Sequence, residues 1–294
     1  MLEFTFHRQG GCLLKINGIY RGVKSAERRL ADYILNNMEE VLGLTIEELA
    51  EKSGTSYATI GRFCKKLGYA GYKELKADLQ NDVVNACSVS DLVTVNEIKP
   101  GMSVGDIQES LYNMVIKTLQ SSFSILDGEV IDAVTEKLIA AESIFCFGTG
   151  NSGISAYYAY GKFVRCGLHC TTEKDPTLGM MCISRLKPGD VLFLVSASGR
   201  TKRIVEAAKL AQQNGVTVIS LGDYAVSPLS KIADYNLFTT HRNSMVFMNI
   251  DMQLMVAQIT LIDLLHLNCC AKIGEKASRI YEYTKEVADM EKIE

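Results

Sequence analysis

The sequence lacks any excess of positive charge: 31 Lys and Arg face 34 Asp and Glu, for a formal net charge of −3. Nucleic-acid binding therefore cannot be read from global charge. Paired Cys-x-x-Cys spacing is also missing. Of nine cysteines, Cys166 and Cys170 form a loose near pair and Cys269 and Cys270 are adjacent. No secretory-type run precedes them, so they are expected to be reduced cytosolic thiols, mostly small core residues, with no structural metal. An uninterrupted membrane-length apolar run is absent as well. Met252 to Ala271 comes nearest, but Gln253, Gln258, Asp263, His266 and Asn268 interrupt it, and a buried helix accounts for the rest. No internal repeat or low-complexity tract stands out. The 294 residues, 47 % hydrophobic and 22 % charged, suit one large soluble domain or two ordinary ones.

What is present is a change of rhythm along the chain. The first twelve residues, with Gly10 and Gly11, read as a loose extension. Helical spacing starts near Lys24 and runs through Leu30, Tyr33, Ile34 and Met38. Thr45 with Glu48 three residues on forms a capping box for a helix to Lys52, and Ser56 caps the next, to Leu67. Gly68 ends that helix, and residues 71–80 predict another. Residues 81–105 shift to a polar composition with Pro100 and two glycines, as a linker would, partly helical at its start. Two helices follow, to about Gln120 and over 130–140. Then strands at 143–147, 168–172, 191–195, 216–221 and 235–239 alternate with helices at 152–165, 177–185, 201–213 and 250–266. This βαβ alternation predicts a parallel sheet covered by helices on both faces, with ligands bound beyond the carboxyl ends of its strands.

The pair of helices from Thr45 to Leu67 has helix-turn-helix spacing. On the second, Ile60, Phe63, Cys64 and Leu67 share the inward face, while Tyr57, Ala58, Gly61, Arg62, Lys65 and Lys66 lie opposite. Ser56, Tyr57 and Thr59, at the N-terminal end, are candidates for base or nearby phosphate contacts, and Arg62, Lys65 and Lys66 for phosphates. The plainer reading is a small helical packing module with a solvated charged face. Residues 1–80 carry 12 Lys and Arg against 10 Asp and Glu, a balance of +2 that leaves −5 for the remainder, which leans toward DNA only weakly.

Two loops, Gly148-Thr149-Gly150-Asn151-Ser152 and Ser196-Ala197-Ser198-Gly199-Arg200-Thr201, each join an apolar strand to a helix. Ser152, Ser196, Ser198 and Thr201, with backbone N–H groups at helix starts, suit a phosphomonoester, and Gly150 and Gly199 permit the tight turns. Ordinary helix capping explains any one hydroxyl but accounts less well for two matched loops. No Gly-Lys-Ser/Thr P-loop exists. Candidate general bases, Glu173, Asp175, His169 and His241, form no telling constellation, while His7 reads as tail and His266 as buried helix. No catalytic residue and no cofactor is expected.

The chain resembles the RpiR family of bacterial transcriptional regulators. The likeness rests on Ser25-Ala26-Glu27-Arg28-Arg29, on Leu49-Ala50-Glu51, and on the run from Ala58 through Phe63 and Tyr69 to Lys76. The later half is similar to a sugar isomerase (SIS) domain at Gly148-x-Gly150-x-Ser152, Ser196-x-Ser198-Gly199-x-Thr201 and Ser227-Pro228-Leu229 before Ala233-Asp234. The resemblance implies an all-α, winged-type helix-turn-helix DNA-binding domain (1–80), a linker (81–105) and a three-layer αβα SIS domain (106–294). It further implies a homodimer or homotetramer in the cytoplasm, with double-stranded operator DNA and a phosphorylated sugar or amino sugar as partners and no membrane association. Gly150, Ser152, Ser196, Ser198 and Thr201 would hold the effector. The chain departs from the family at Thr177, where a His is frequent, and at Met255, where an Arg is frequent. It also lacks the acidic residue expected between His241 and Asp251. The alternative function is a phosphosugar isomerase or lyase with an accessory helical domain.

Overall fold

A computed structural model of the chain describes residues 11–20, 23–90, 99–240 and 252–290. His7, His241 and the stretch 241–251 lie outside the described residues. Two compact units form, one of Met1–Asn96 with Tyr224–Val226 and one of Glu97–Asp223 with Ser227–Glu294.

The described elements of the first unit are helices: α1 (Cys12–Tyr20), α2 (Ser25–Asn36), α3 (Met38–Gly43), α4 (Ile46–Lys52), α5 (Tyr57–Lys66) and α6 (Tyr72–Ser90). Helix α1 is an addition to the sequence reading. It buries Cys12 and Ile16 in the unit's core. The Leu13 N–H donates to Asp82 Oδ2 at 2.8 Å, and Lys15 pairs with Asp78 at 3.0 Å. The helix expected to run through Met38 breaks at Asn37, whose side-chain amide donates to the Tyr33 carbonyl at 2.9 Å and so competes with the helical ladder. Helix α4 starts with the capping box its sequence predicts: the Glu48 N–H donates to Thr45 Oγ1 at 3.2 Å, and the Thr45 N–H to Glu48 Oε2 at 2.7 Å. Leu30, Ile34, Leu49, Ile60, Phe63, Leu67, Leu75 and Leu79 fill the core. No strand of the wing that the resemblance implies occurs among the described residues of this unit. The chain after α5 passes directly into α6, which the Tyr72 hydroxyl fixes by donating to the Val41 and Leu44 carbonyls. That helix continues to Ser90, through the first part of the predicted linker.

The second unit begins with α7 (Val104–Phe123) and α8 (Gly128–Ala140) and then alternates. Its strands are β1 (Ile144–Gly148), β2 (Cys170–Thr172), β3 (Val191–Val195), β4 (Thr217–Asp223) and β5 (Tyr235–Thr239). Its remaining helices are α9 (Asn151–Arg165), α10 (Pro176–Ile183), α11 (Lys202–Gln213), α12 (Met252–Ile273) and α13 (Glu275–Asp289). The five strands pair in parallel in the order β2-β1-β3-β4-β5. Alternation along β3 sends Val191, Phe193 and Val195 to one face and Leu192 and Leu194 to the other. The first face packs on α8, α9 and α12, the second on α10 and α11, giving three layers.

Helix α12 contains the long apolar segment that the sequence predicts as a buried helix. Met255–Ile273 has the length and composition to cross a bilayer, but Leu261, Ile262, Leu265 and Cys269 are buried in the core under the sheet. Asp263 on this helix pairs with Lys162 at 2.7 Å and accepts from the Tyr158 hydroxyl at 2.9 Å. Burial against the sheet thus accounts for its composition.

Candidate functional site

Both hydroxyl-bearing loops leave the carboxyl ends of adjacent strands. Because β1 and β3 pair directly, Gly148 opposite Val195, the loops after them emerge side by side. Gly150 and Gly199 each adopt φ +59°, a left-handed conformation that favours glycine. A Cβ at Gly199 would also lie 2.2 Å from Ser227 Oγ, so the Ser-Pro-Leu turn at 227–229 packs against this glycine. The Ala197 N–H donates to Ser152 Oγ at 3.3 Å and ties the two loops together. Ser196 is buried, its N–H donating to the Leu221 carbonyl at 2.9 Å.

These loops enclose a cleft of about 190 Å³ lined by Thr149, Asn151, Ser152, Ser196, Ala197, Ser198, Thr201, Met255 and Gln258. All four predicted hydroxyl residues stand in its wall. Gly150 does not; it lines an adjoining cleft of about 380 Å³ that shares Thr149 and includes Tyr157, Thr172, Glu173 and Lys174. Helix capping does not occupy the hydroxyls here, although Ser152 Oγ and Ser198 Oγ accept from the Ala197 and Arg200 N–H groups, each at 3.3 Å. Neither Gly150 at the start of α9 nor Thr201 at the start of α11 makes a side-chain cap. In the same unit Ser103, Asp127 and Asp175 cap α7, α8 and α10. Two helix N-termini therefore present backbone N–H groups that no capping side chain satisfies, a geometry suited to an anion.

Sequence reasoning missed Gln258. It is 2 % exposed, and its Oε1 accepts from Ser155 Oγ at 2.8 Å. Its Nε2 has no hydrogen-bond partner among the described residues, although the residue lines the cleft. An amide donor left unsatisfied at that depth costs about 1–3 kcal/mol, which a ligand acceptor would recover. Met255, beside it, makes an apolar wall where the family resemblance led to expect Arg.

The candidate bases have other employment. Asp175 caps α10 by accepting from the Thr177 and Leu178 N–H groups, each at 2.8 Å. His169 Nδ1 lies 3.1 Å from the Glu142 carbonyl. Glu173 accepts from the Asp175 N–H at 2.8 Å and lines only the adjoining cleft.

In the first unit, α4 and α5 form the helix-turn-helix pair, and the exposed side of α5 carries Tyr57, Ala58, Arg62, Lys65 and Lys66. Ser56 is exposed but accepts from the Thr59 N–H at 3.3 Å as the N-cap. Thr59 needs correction. It is 5 % exposed and its hydroxyl sits 3.0 Å from that of Ser56, because it shares the inward face with Phe63 four residues on. Lys66 pairs with Glu27 at 3.0 Å. Although burial opposes it, this ion pair, with the Lys24 N–H, holds the Glu27 carboxyl below its ordinary range.

Comparison with known proteins agrees with both halves. Residues 10–86 match the helix-turn-helix domain of the rpiR family, and residues 137–266 match the SIS domain. An uncharacterized HTH-type transcriptional regulator of Caldanaerobacter subterraneus subsp. tengcongensis is 36% identical over 91% of this chain and 93% of its own. The HTH-type transcriptional regulator HexR of Pseudomonas aeruginosa is 30% identical over 83% of each chain. Among solved structures, the Vibrio vulnificus NanR protein complexed with ManNAc-6P aligns with a TM-score of 0.61 at 27% identity, covering 96% of this chain and 100% of that one. A helix-turn-helix unit followed by a parallel αβα sheet, matched along nearly the whole length, places this chain in the rpiR family of HTH-type transcriptional regulators.

Proposed function

We propose that this regulator senses a phosphorylated sugar or amino sugar in the hydroxyl cleft and binds operator DNA through the exposed face of α5. The observation that carries the reading is the convergence on one cleft of Ser152, Ser196, Ser198, Thr201 and the unpartnered Gln258 amide, beside two helix N-termini without side-chain caps. A phosphate offers acceptors on every oxygen and negative charge for the helix ends. NanR, a relative solved with ManNAc-6P, supports a ligand of that class.

Residues 1–80 would carry DNA binding and 106–294 effector binding, joined by 81–105. Tyr57 and Ser56 are the base-proximal candidates, with Arg62, Lys65 and Lys66 on phosphates; Thr59 supports the helix from inside. The protein would act in the cytoplasm as a homodimer or homotetramer. A dimer would read half-sites about 34–36 Å apart or a multiple of that. Regulation requires the effector to bind the DNA-competent and incompetent states unequally, about 1.4 kcal/mol for each tenfold change in DNA affinity. No catalytic role is proposed, since no described candidate base lines the hydroxyl cleft.

Calorimetric titration with aldose and ketose 6-phosphates, their amino-sugar counterparts and the matching unphosphorylated sugars tests the sensor. Binding of one phosphosugar, absent for its unphosphorylated form and without turnover, is expected. Conversion of a phosphosugar to an isomer at enzymatic rates would establish the isomerase alternative instead.

A further inference from the structure

The second unit gathers a thiol and imidazole cluster at the opposite end of α9 from the hydroxyl cleft. Cys166 caps the C-terminus of α9, while His266 and Cys270 stand four residues apart on one face of α12. One ligand atom from each lies within 4.8 Å of the others. His266 is 8 % exposed, and Cys270 Sγ is 3.8 Å from its Nε2 and 3.9 Å from its Nδ1. Thiols thus lie beside a buried imidazole, and sulfur at that distance satisfies it poorly.

We propose that Cys166, His266 and Cys270 bind a thiophilic d10 cation, Zn²⁺ or Cu⁺, with any further coordination position open on the Cys270 side. Tetrahedral zinc with bonds of about 2.3 Å to sulfur and 2.0–2.1 Å to nitrogen requires ligand–ligand separations of about 3.5–3.8 Å. The cluster is within about 1 Å of that, a change that side-chain rotation supplies. Two thiolates and one imidazole are soft donors that favour zinc and cuprous ions over magnesium or calcium. Cys166 and His266 are buried and Cys270 half-buried, so the first two are held in place while the third gives access from solvent.

The bound ion would join the end of α9 to α12. Those two helices are also joined by the Ser155–Gln258 hydrogen bond. Ser152 and Cys166 are fourteen residues apart, about 21 Å along a helix, so the ion would stand apart from the effector cleft. It would act as a staple between two helices that wall the cleft, and it does not depend on the identity of the effector.

The test uses the full chain, reduced and stripped of metal, titrated with Co²⁺ as a spectroscopic probe and then displaced with Zn²⁺ or, in a separate arm, Cu⁺. Saturation near one ion per chain is expected, with the strong visible bands of tetrahedral cobalt and thiolate charge transfer in the near ultraviolet. Cys270→Ser should lose about half of the charge transfer and bind at least about tenfold more weakly, whereas Cys182→Ser, an exposed thiol elsewhere, should match the parent. Whichever ion displaces cobalt at lower concentration names the metal. No saturable uptake, or uptake unchanged in Cys270→Ser, overturns the proposal. Should that variant fail to fold, alkylation of the parent protein decides: Zn²⁺ or Cu⁺ must protect Cys270 while Cys182 stays reactive, and equal rates overturn it.

Discussion

Replacing Gln258 and Ser155 together separates a ligand-binding role from a packing role. Gln258 Oε1 and Ser155 Oγ form one hydrogen bond at 2.8 Å, with both residues buried. Gln258 Nε2 is left without a partner. The hydrogen bond contributes about 1 kcal/mol net, and the orphan donor costs about 1–3 kcal/mol. Gln258→Leu alone would strand the Ser155 hydroxyl, so it is combined with Ser155→Ala. The double variant loses the bond and the orphan together, and its stability should be unchanged or higher by up to about 2 kcal/mol. That corresponds to a rise in melting temperature of up to about 4–8 °C for a unit of this size. Effector binding should weaken by about 1–3 kcal/mol, or about 5- to 150-fold, because a donor prepared for the ligand has gone. Thermal unfolding and calorimetric titration with the responding phosphosugar read the two quantities separately. A melting temperature lower by several degrees with unchanged effector affinity would refute the assignment and make Gln258 a packing residue.

Further outcomes follow from the same geometry. Ser198→Ala should weaken effector binding by about 1–3 kcal/mol in calorimetry while leaving DNA affinity intact, since it lines the cleft in the second unit. Arg62→Ala and Lys65→Ala should each weaken DNA binding across sequences and lower the slope of log affinity against log salt by about 1, measured by anisotropy between low and moderate salt. The helical unit should lose stability as pH falls through the carboxylate range. Backbone and side-chain hydrogen bonds from Thr45 hold Glu48 below its ordinary range, and the Lys66 pair, against the opposing effect of burial, holds Glu27 there. Groups depressed in the folded state stabilise it above their unfolded pKa, and that contribution disappears on protonation. Thermal melts between about pH 6 and pH 3 check this, and Glu48→Gln should flatten the dependence.

The sheet was legible because its strands are short apolar runs with turn residues on both sides. Strands β3 and β5 fall at the predicted positions 191–195 and 235–239, and β1 is displaced by one residue. Capping chemistry located α4 and α5 equally well. Helices α1 and α13 were not anticipated: α1 starts at Cys12, directly after the glycine pair that reads as a loose extension, and α13 lies on the surface with Ala277 as its buried residue. The hydroxyl residues of the cleft were visible because each loop carries its own contiguously. Gln258 was not, because it reaches the cleft from a helix sixty residues after Ser198 and its role depends on a missing partner. Thr59 was misplaced by weighting its position near the helix start over its spacing from Phe63. The Cys166, His266 and Cys270 cluster is likewise a product of tertiary packing, its members separated by a hundred residues.

On the proposed function, one phosphosugar bound in the hydroxyl cleft would change DNA binding by α5. Fluorescence anisotropy of the labelled DNA upstream of this gene, titrated with the full chain with and without each phosphosugar, tests it most directly. Binding is expected to prefer this duplex over a scrambled one at moderate salt and to be shifted by one phosphosugar, with the shift lost in Ser198→Ala at the same phosphosugar concentration. A folded protein that shows no sequence preference, or a preference that no phosphosugar moves, would contradict it.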